Sequence, residues 1–269
     1  MAIALMYEKF LMVAAAWTFG TAILLSNRFA IPRWRAIAIL TCSALMGIFG
    51  ARILYWLTHQ RQVDNIALMS FSASGFSLYG GLALGVATGG ILSRWLQISA
   101  LRMADLVTVP IAMGIAIVRL GCWNRGCCYG IETNLPWGIT PTANSPAWIR
   151  QLGNNPLALI DSAHAVHPTQ LYELFAALLA GLLAVMLLAK RVRHGLAACA
   201  AGILFTCLRL LIAPLRDYSG PGIHEQRTML ALYGPIIALL IAVSIWIWRK
   251  KTVRSNQIAT DALAKDSRF

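Results

Sequence analysis

Residues 170–189 read Gln-Leu-Tyr-Glu-Leu-Phe-Ala-Ala-Leu-Leu-Ala-Gly-Leu-Leu-Ala-Val-Met-Leu-Leu-Ala. Between Glu173 and Lys190 no charged side chain interrupts the run. The hydrocarbon core of a bilayer takes about 20 apolar residues as a helix. Lipid offers the backbone no partners, so the segment must satisfy its own hydrogen bonds. The run therefore predicts a transmembrane helix. Runs of similar length lie at 8–26, 36–57, 74–93, 104–121, 196–215 and 228–248. Together they predict an all-α integral membrane protein of about seven transmembrane helices. Composition agrees: 58% of residues are hydrophobic and 12% charged, against roughly 25% charged in a soluble domain.

The first run has no basic stretch before it, and Glu8 and Lys9 stand at its start. No convincing small-residue cleavage site ends it, so it is expected to stay in the mature chain rather than leave as a signal peptide. Lysine and arginine set the orientation. With the N-terminus outside, the inner loops and tail hold 14 of them: Arg28, Arg33, Arg35, Arg94, Arg102, Lys190, Arg191, Arg193, Arg249, Lys250, Lys251, Arg254, Lys265 and Arg268. The outer segments hold six: Lys9, Arg61, Arg125, Arg150, Arg216 and Arg227. The expected arrangement is N-out and C-in, with a polytopic domain over 1–248 and a basic cytoplasmic tail over 249–269. The net charge of +13 then reflects topology and attraction to anionic headgroups. Spread over separate loops, it does not point to a nucleic-acid partner.

Three basic residues, Arg52, Arg119 and Arg209, fall inside the predicted spans. Arginine at the bilayer centre costs about 2.5–3.5 kcal/mol on insertion scales, so it turns to a polar interior; a residue near a helix end can instead snorkel to the interface. The fourth run, with Asp105, Pro110 and Arg119, also admits a re-entrant or interfacial helix. Asp105, at its inner end, reads as a helix N-terminal charge or an ion-pair partner. In the N-out topology the outer ends of the second, fourth and sixth spans carry Arg52, Arg119 and Arg209, followed by Arg216. Those of the third and fifth carry Ser77, Tyr79, Gly80 and Gly81, and His167, Thr169, Gln170, Tyr172 and Glu173. Five helices thus bring polar residues to one depth, which predicts one site in the outer half of the membrane. Arginine forks suit phosphate oxygens and cannot lose their charge, so the ligand expected is a phosphate-bearing lipid. Gly80-Gly81 allows close approach, either of lipid or of a neighbouring helix.

The longest loop, about 122–169, lies outside and carries five prolines with Trp137 and Trp148; its tryptophans suit the membrane interface. It opens with Gly121-Cys-Trp-Asn-Arg-Gly-Cys-Cys-Tyr-Gly130. Three readings stand for Cys122, Cys127 and Cys128. They form a disulfide or another structural contact in an oxidising compartment, they act as a catalytic or substrate-positioning thiol served by His167, or they bind zinc. The missing C-x-x-C spacing disfavours zinc, so neither metal nor cofactor is expected. Cys42, Cys199 and Cys207 fall in spans as apolar fillers.

These residues resemble the bacterial prolipoprotein diacylglyceryl transferase family. Phe76-Ser-Leu-Tyr-Gly-Gly81 is similar to the family's S-F-H-G-G stretch, and Val118-Arg-Leu-Gly121 through Gly130 to its G-R-L-G-N-F-x-N-x-E-x-x-G signature. His167-Pro-Thr-Gln-Leu-Tyr-Glu173 resembles its H-P-S-Q-L-Y-E almost letter for letter. Arg209 and Arg216 resemble the two arginines of its sixth span. The resemblance implies transfer of a diacylglyceryl group from phosphatidylglycerol to the lipobox cysteine of a preprolipoprotein signal peptide, at the outer face of the bacterial inner membrane. It implies that Arg119 and Arg209 hold the phosphate, with His167 and Tyr79 as catalytic groups. Gly80, Gly81, Arg52, Gln170, Tyr172, Glu173, Arg216, Cys122 and Cys127 would line the substrate pocket. The chain departs from the family at Tyr79, where a histidine is the proposed base, and at Cys122 and Cys127, where asparagine and glutamate stand. Tyrosine, with a pKa near 10, is the weaker base at neutral pH. Three alternatives stand beside this reading: acyl transfer through a cysteine thioester, phospholipid binding without catalysis, and transport. Clustering at one face instead of the midplane argues against a transporter.

Overall fold

The computed structural model describes residues 2–58, 78–154, 163–217 and 233–249. Eight α-helices occur among them: α1 (Ala2–Leu25), α2 (Arg33–Thr58), α3 (Leu78–Trp95), α4 (Ala100–Arg125), α5 (Pro146–Asn154), α6 (Thr169–Ala189), α7 (Leu196–Ile212) and α8 (Tyr233–Arg249). The described residues form isolated β-bridges but no sheet. Each of the seven apolar runs carries a helix. The helices of the first, second, fourth, fifth and sixth runs are long and apolar enough to cross a membrane, and α8 is apolar and shorter. The fourth run forms one helix long enough to span: α4 continues through Pro110 for 26 residues, about 39 Å of helix. Ser77, Arg61, Arg227, the segment 156–160 and the tail from 250 lie outside the described residues.

The chain divides into two compact units, one of Met1–Thr18 with Thr108–Phe269, the other of Phe19–Val107. In the first, α6 turns its small residues inward. Ala176, Ala177, Ala180, Gly181 and Ala184 are buried, while Phe175, Leu179, Leu182, Val185 and Met186 are exposed. Large residues face outward because hydrocarbon accepts them as readily as a protein core does, and small ones bring helices close. Ala116, Leu174 and Ala177 pack with Ile115 and Phe205, and Ala180, Ala184 and Ala201 with Val109 and Phe205. Thus α4, α6 and α7 share one core with Phe205 at its centre. Thr18 of α1 donates to the Pro110 carbonyl of α4. Arg193 donates to the Ile247 and Trp248 carbonyls, closing the C-terminal end of α8.

In the second unit α2 and α3 pack through glycine. A Cβ added to Gly80 would strike the Gly50 carbonyl and Leu54, and one added to Gly81 would crowd the Gly47 carbonyl and Ala51. Of the two readings of Gly80-Gly81, close helix packing is thereby accounted for. Ile31, Ala36, Ile39, Met103 and Leu106 form this unit's core. Asp105 is buried beside it, and Arg35 donates to the Leu96 carbonyl just beyond α3 at 3.0 Å.

Candidate active site

α4 ends in a Schellman cap. The Cys127 N–H donates to the Cys122 carbonyl at 3.1 Å and the Gly126 N–H to the Trp123 carbonyl at 3.0 Å. Gly126 adopts φ +69°, the left-handed conformation this cap needs and glycine accepts without strain. Cys128 is also left-handed, at φ +61°, and it turns the chain back across the helix end. From there the loop that follows α4 runs between two other stretches. Asp217 N–H donates to the Tyr129 carbonyl, Ile131 N–H to Leu215, Gly130 N–H to His167, and His167 N–H to Ile131. Gly130 is required at this seam: a Cβ there would meet the Leu215 carbonyl and His167. An open cleft of about 400 Å³ lies along the seam, lined by Tyr129, Glu132, Arg150 and Asp217 among others. Burial and then the Asp217 carboxylate push the Tyr129 hydroxyl above its usual range, against the opposing pull of Arg150.

Behind the seam, three arginines from two helices and the segment after them meet one carboxylate. Arg119 of α4 lies 2.5 Å from Glu173 Oε2. Arg209 of α7 lies 3.5 Å from Oε1, and Arg216 lies 3.2 Å from the same oxygen. Glu173 is 3% exposed. Three guanidinium groups against one carboxylate leave two positive charges in surplus. Arg209 also stacks over the ring of Tyr233 at 6.0 Å, within the range of a cation–π contact. Arg119 Nε and Gln170 Oε1 are buried with no hydrogen-bond partner among protein groups.

The His167–Glu173 stretch supplies the rest of the wall. Gln170 Nε2 donates to the Cys127 carbonyl at 2.8 Å and Thr169 Oγ1 to the Cys128 carbonyl at 2.7 Å. The Tyr172 hydroxyl accepts from Trp137 Nε1 at 2.8 Å and lies 3.3 Å from His167 Nδ1. The sulfurs of Cys122, Cys127 and Cys128 lie within 4.8 Å of one another, with no pair bridged. Arg119 Nη1 stands 3.8 Å from Cys122 Sγ. Hydrogen bonds from Cys122 and Cys127 hold the Cys128 thiol well below its ordinary range, and Arg216 and Arg119 add to this. Cys127, as the donor to its two neighbours and further buried, is pushed up.

The first unit therefore gathers Arg119, Cys122, Cys127, His167, Gln170, Tyr172, Glu173, Arg209 and Arg216. Arg52, Tyr79, Gly80 and Gly81 belong to the second unit, on α2 and α3. The sequence reading carried Gly130 only as the last glycine of the Gly121–Gly130 stretch and did not anticipate Trp137 or Tyr233 at the site. Trp137 and Tyr233 join the site only through partners 35 and 24 positions away in the chain.

A profile of the family described as "Prolipoprotein diacylglyceryl transferase" matches residues 6–248. The chain is 31% identical to the phosphatidylglycerol–prolipoprotein diacylglyceryl transferase of Clostridium tetani over 128 residues, 47% of this chain and 46% of that protein. It is 36% identical over 110 residues to the corresponding protein 2 of Clostridium perfringens, 39% of this chain and 42% of that protein. The chain thus spans about half the length of these relatives. With the Synechococcus elongatus protein, identity is 28% over 270 residues, 96% of this chain and 89% of the relative. With the profile match running from within α1 to within α8, this chain belongs to the prolipoprotein diacylglyceryl transferase family.

Proposed function

We propose that this chain transfers a diacylglyceryl group from phosphatidylglycerol to the lipobox cysteine thiol of a preprolipoprotein, at the outer face of the bacterial inner membrane, with its N-terminus out and C-terminus in. The observation that carries the proposal is the set of three arginines held on Glu173. Phosphatidylglycerol carries one negative charge on its phosphodiester, and the departing glycerol phosphate carries close to two. The surplus of two positive charges thus favours the departing state over the bound lipid. Interactions that strengthen toward the transition state are the ones that accelerate a reaction. The buried Arg119 Nε is a donor suited to a phosphate oxygen. The buried Gln170 Oε1 is an acceptor suited to a hydroxyl of the glycerol headgroup.

In this reading the acceptor sulfur attacks the terminal glyceryl carbon, the C–O bond to phosphate breaks, and a thioether forms directly. An enzyme cysteine attacking the same carbon would end as a thioether, a poor leaving group, so no covalent intermediate is invoked. His167 and Tyr79 are the candidates to receive the thiol proton. A second reading, acyl transfer through a thioester, draws on the depressed Cys128 thiol.

Incubation with phosphatidylglycerol labelled in glyceryl and acyl moieties, followed by mass spectrometry of a lipobox peptide, separates the readings. Both labels on the peptide are expected. The acyl label alone would replace this proposal with acyl transfer, and no label would leave a lipid-binding protein.

A further inference from the structure

The three sulfurs behind the seam are arranged as ligands. A zinc ion binds thiolate at about 2.3 Å, which sets sulfurs about 3.8 Å apart in a tetrahedral site. Cys122, Cys127 and Cys128 hold theirs within 4.8 Å of one another without any ion, so side-chain rotation of less than about 1 Å completes the geometry. Their placement is built. The Schellman cap carries Cys127 back to the Cys122 carbonyl, and Cys128 sits at φ +61°. The carbonyls of both loop cysteines are gripped by Gln170 and Thr169, the kind of outer support that orients metal ligands. Three thiolates on a divalent ion carry one net negative charge, and Arg119 stands 3.8 Å from Cys122 Sγ to meet it. Among the described residues no histidine or carboxylate completes a fourth ligand. Three protein ligands with an open position are the pattern of a catalytic zinc site, whereas structural sites are closed by four.

We propose that Cys122, Cys127 and Cys128 bind one zinc ion whose open position takes the acceptor thiol and delivers it as a thiolate. This rests on the diacylglyceryl transfer proposed above. A thiol that coordinates zinc loses its proton, here to water or to His167. The bound sulfur then attacks the glyceryl carbon. The S–C bond forms and the C–O bond breaks, its electron pair leaving with glycerol phosphate toward Arg119, Arg209 and Arg216. The product thioether is neutral and a weak ligand, so it dissociates and frees the position. No oxidation state changes, and the net products are the thioether, glycerol phosphate and one proton.

The test uses the full chain in detergent micelles containing phosphatidylglycerol, kept reduced. Elemental analysis after dialysis should find one zinc per chain. Cys127→Ser and Cys128→Ser should each weaken zinc binding at least about tenfold, while Cys42→Ser, on α2, should leave it intact. On the wild-type protein loaded with cobalt(II), thiolate-to-cobalt absorption should appear, and a lipobox peptide should shift the ligand-field bands while its serine analogue does not. Absence of cysteine-dependent metal, a disulfide that persists under reductant, or a cobalt spectrum blind to the peptide thiol would each overturn the proposal. Doubly labelled phosphatidylglycerol in the same samples keeps the two readings apart. Equal transfer by zinc-free protein would remove the metal and leave the reaction. Zinc and thiol binding without transfer would remove the reaction and leave the site.

Discussion

The carboxylate of Glu173 on α6 and the guanidinium of Arg119 on α4 meet at 2.5 Å, with Glu173 almost wholly buried. Charges removed from water are tolerated when paired, and taking away one partner of a buried pair is destabilising by about 3–5 kcal/mol. Glu173 serves three arginines at once. Glu173→Gln is expected to lower stability by about that amount and to abolish transfer. Thermal unfolding in detergent beside a turnover assay measures both; unchanged stability would show that the arginines do not depend on this carboxylate.

The arginines themselves should act on the reaction more than on the fold. Arg119→Ala and Arg209→Ala are each expected to reduce transfer at least about tenfold, the equivalent of about 1.5–3 kcal/mol for a charge-assisted contact. Arg119→Lys should recover only part, because an ammonium replaces a planar fork. Full activity of Arg209→Ala, with membrane insertion verified by fractionation, would remove that residue from the phosphate site.

Gly130→Ala probes the seam. The added methyl meets the Leu215 carbonyl and His167, neither of which is the free end of a flexible chain. Overpacking of this kind is worth about 1–3 kcal/mol, and here it displaces the backbone beside both His167 and Arg216. Loss of activity together with lowered melting temperature is expected; a variant with wild-type values of both would show that the seam yields freely.

Tyr172→Phe removes the acceptor of the Trp137 indole N–H and the hydroxyl beside His167 Nδ1. One hydrogen bond of this kind contributes about 1 kcal/mol, so a loss of roughly fivefold in turnover is expected. Trp137→Phe should produce a similar loss, and the double variant should add little to either single one, since both act through one contact. Fully additive losses would contradict a shared role.

Orientation is tested by reporters. Fusions after residue 269 should score as cytoplasmic, and a reporter within 134–142 as extracytoplasmic, as the lysine and arginine bias requires. The opposite result would put the arginine site on the inner face and remove a preprolipoprotein from the proposal.

The transmembrane helices were legible because bilayer thickness dictates run length, and Arg119 and Arg209 because a guanidinium inside an apolar run needs a polar neighbour. Glu173 was placed on the pocket wall from its motif, but its service to three arginines was not. Residues 119, 173, 209 and 216 come together only when α4, α6 and α7 pack, and no local periodicity records which polar ends meet. The glycine pair shows the converse limit. Gly80 and Gly81 fit lipid approach and helix packing equally until Gly47, Gly50 and Ala51 of α2 are seen against them. Spacing also hid how close the three cysteines lie. The missing C-x-x-C argued against a metal, yet a Schellman turn folds a five-residue separation into the proximity that the shorter motif usually supplies.

The seam has one more consequence. The loop that follows α4 is paired to His167 and Leu215 within a few residues of its departure, so the ends of the excursion are tied before it begins. The entropy of closing a flexible excursion grows only with the logarithm of its length. The excursion is tied again farther along, where Trp137 donates to Tyr172, Ile139 and Val166 exchange backbone hydrogen bonds and Arg150 pairs with Asp217, so a change of length is expected to be cheap only at positions away from these contacts.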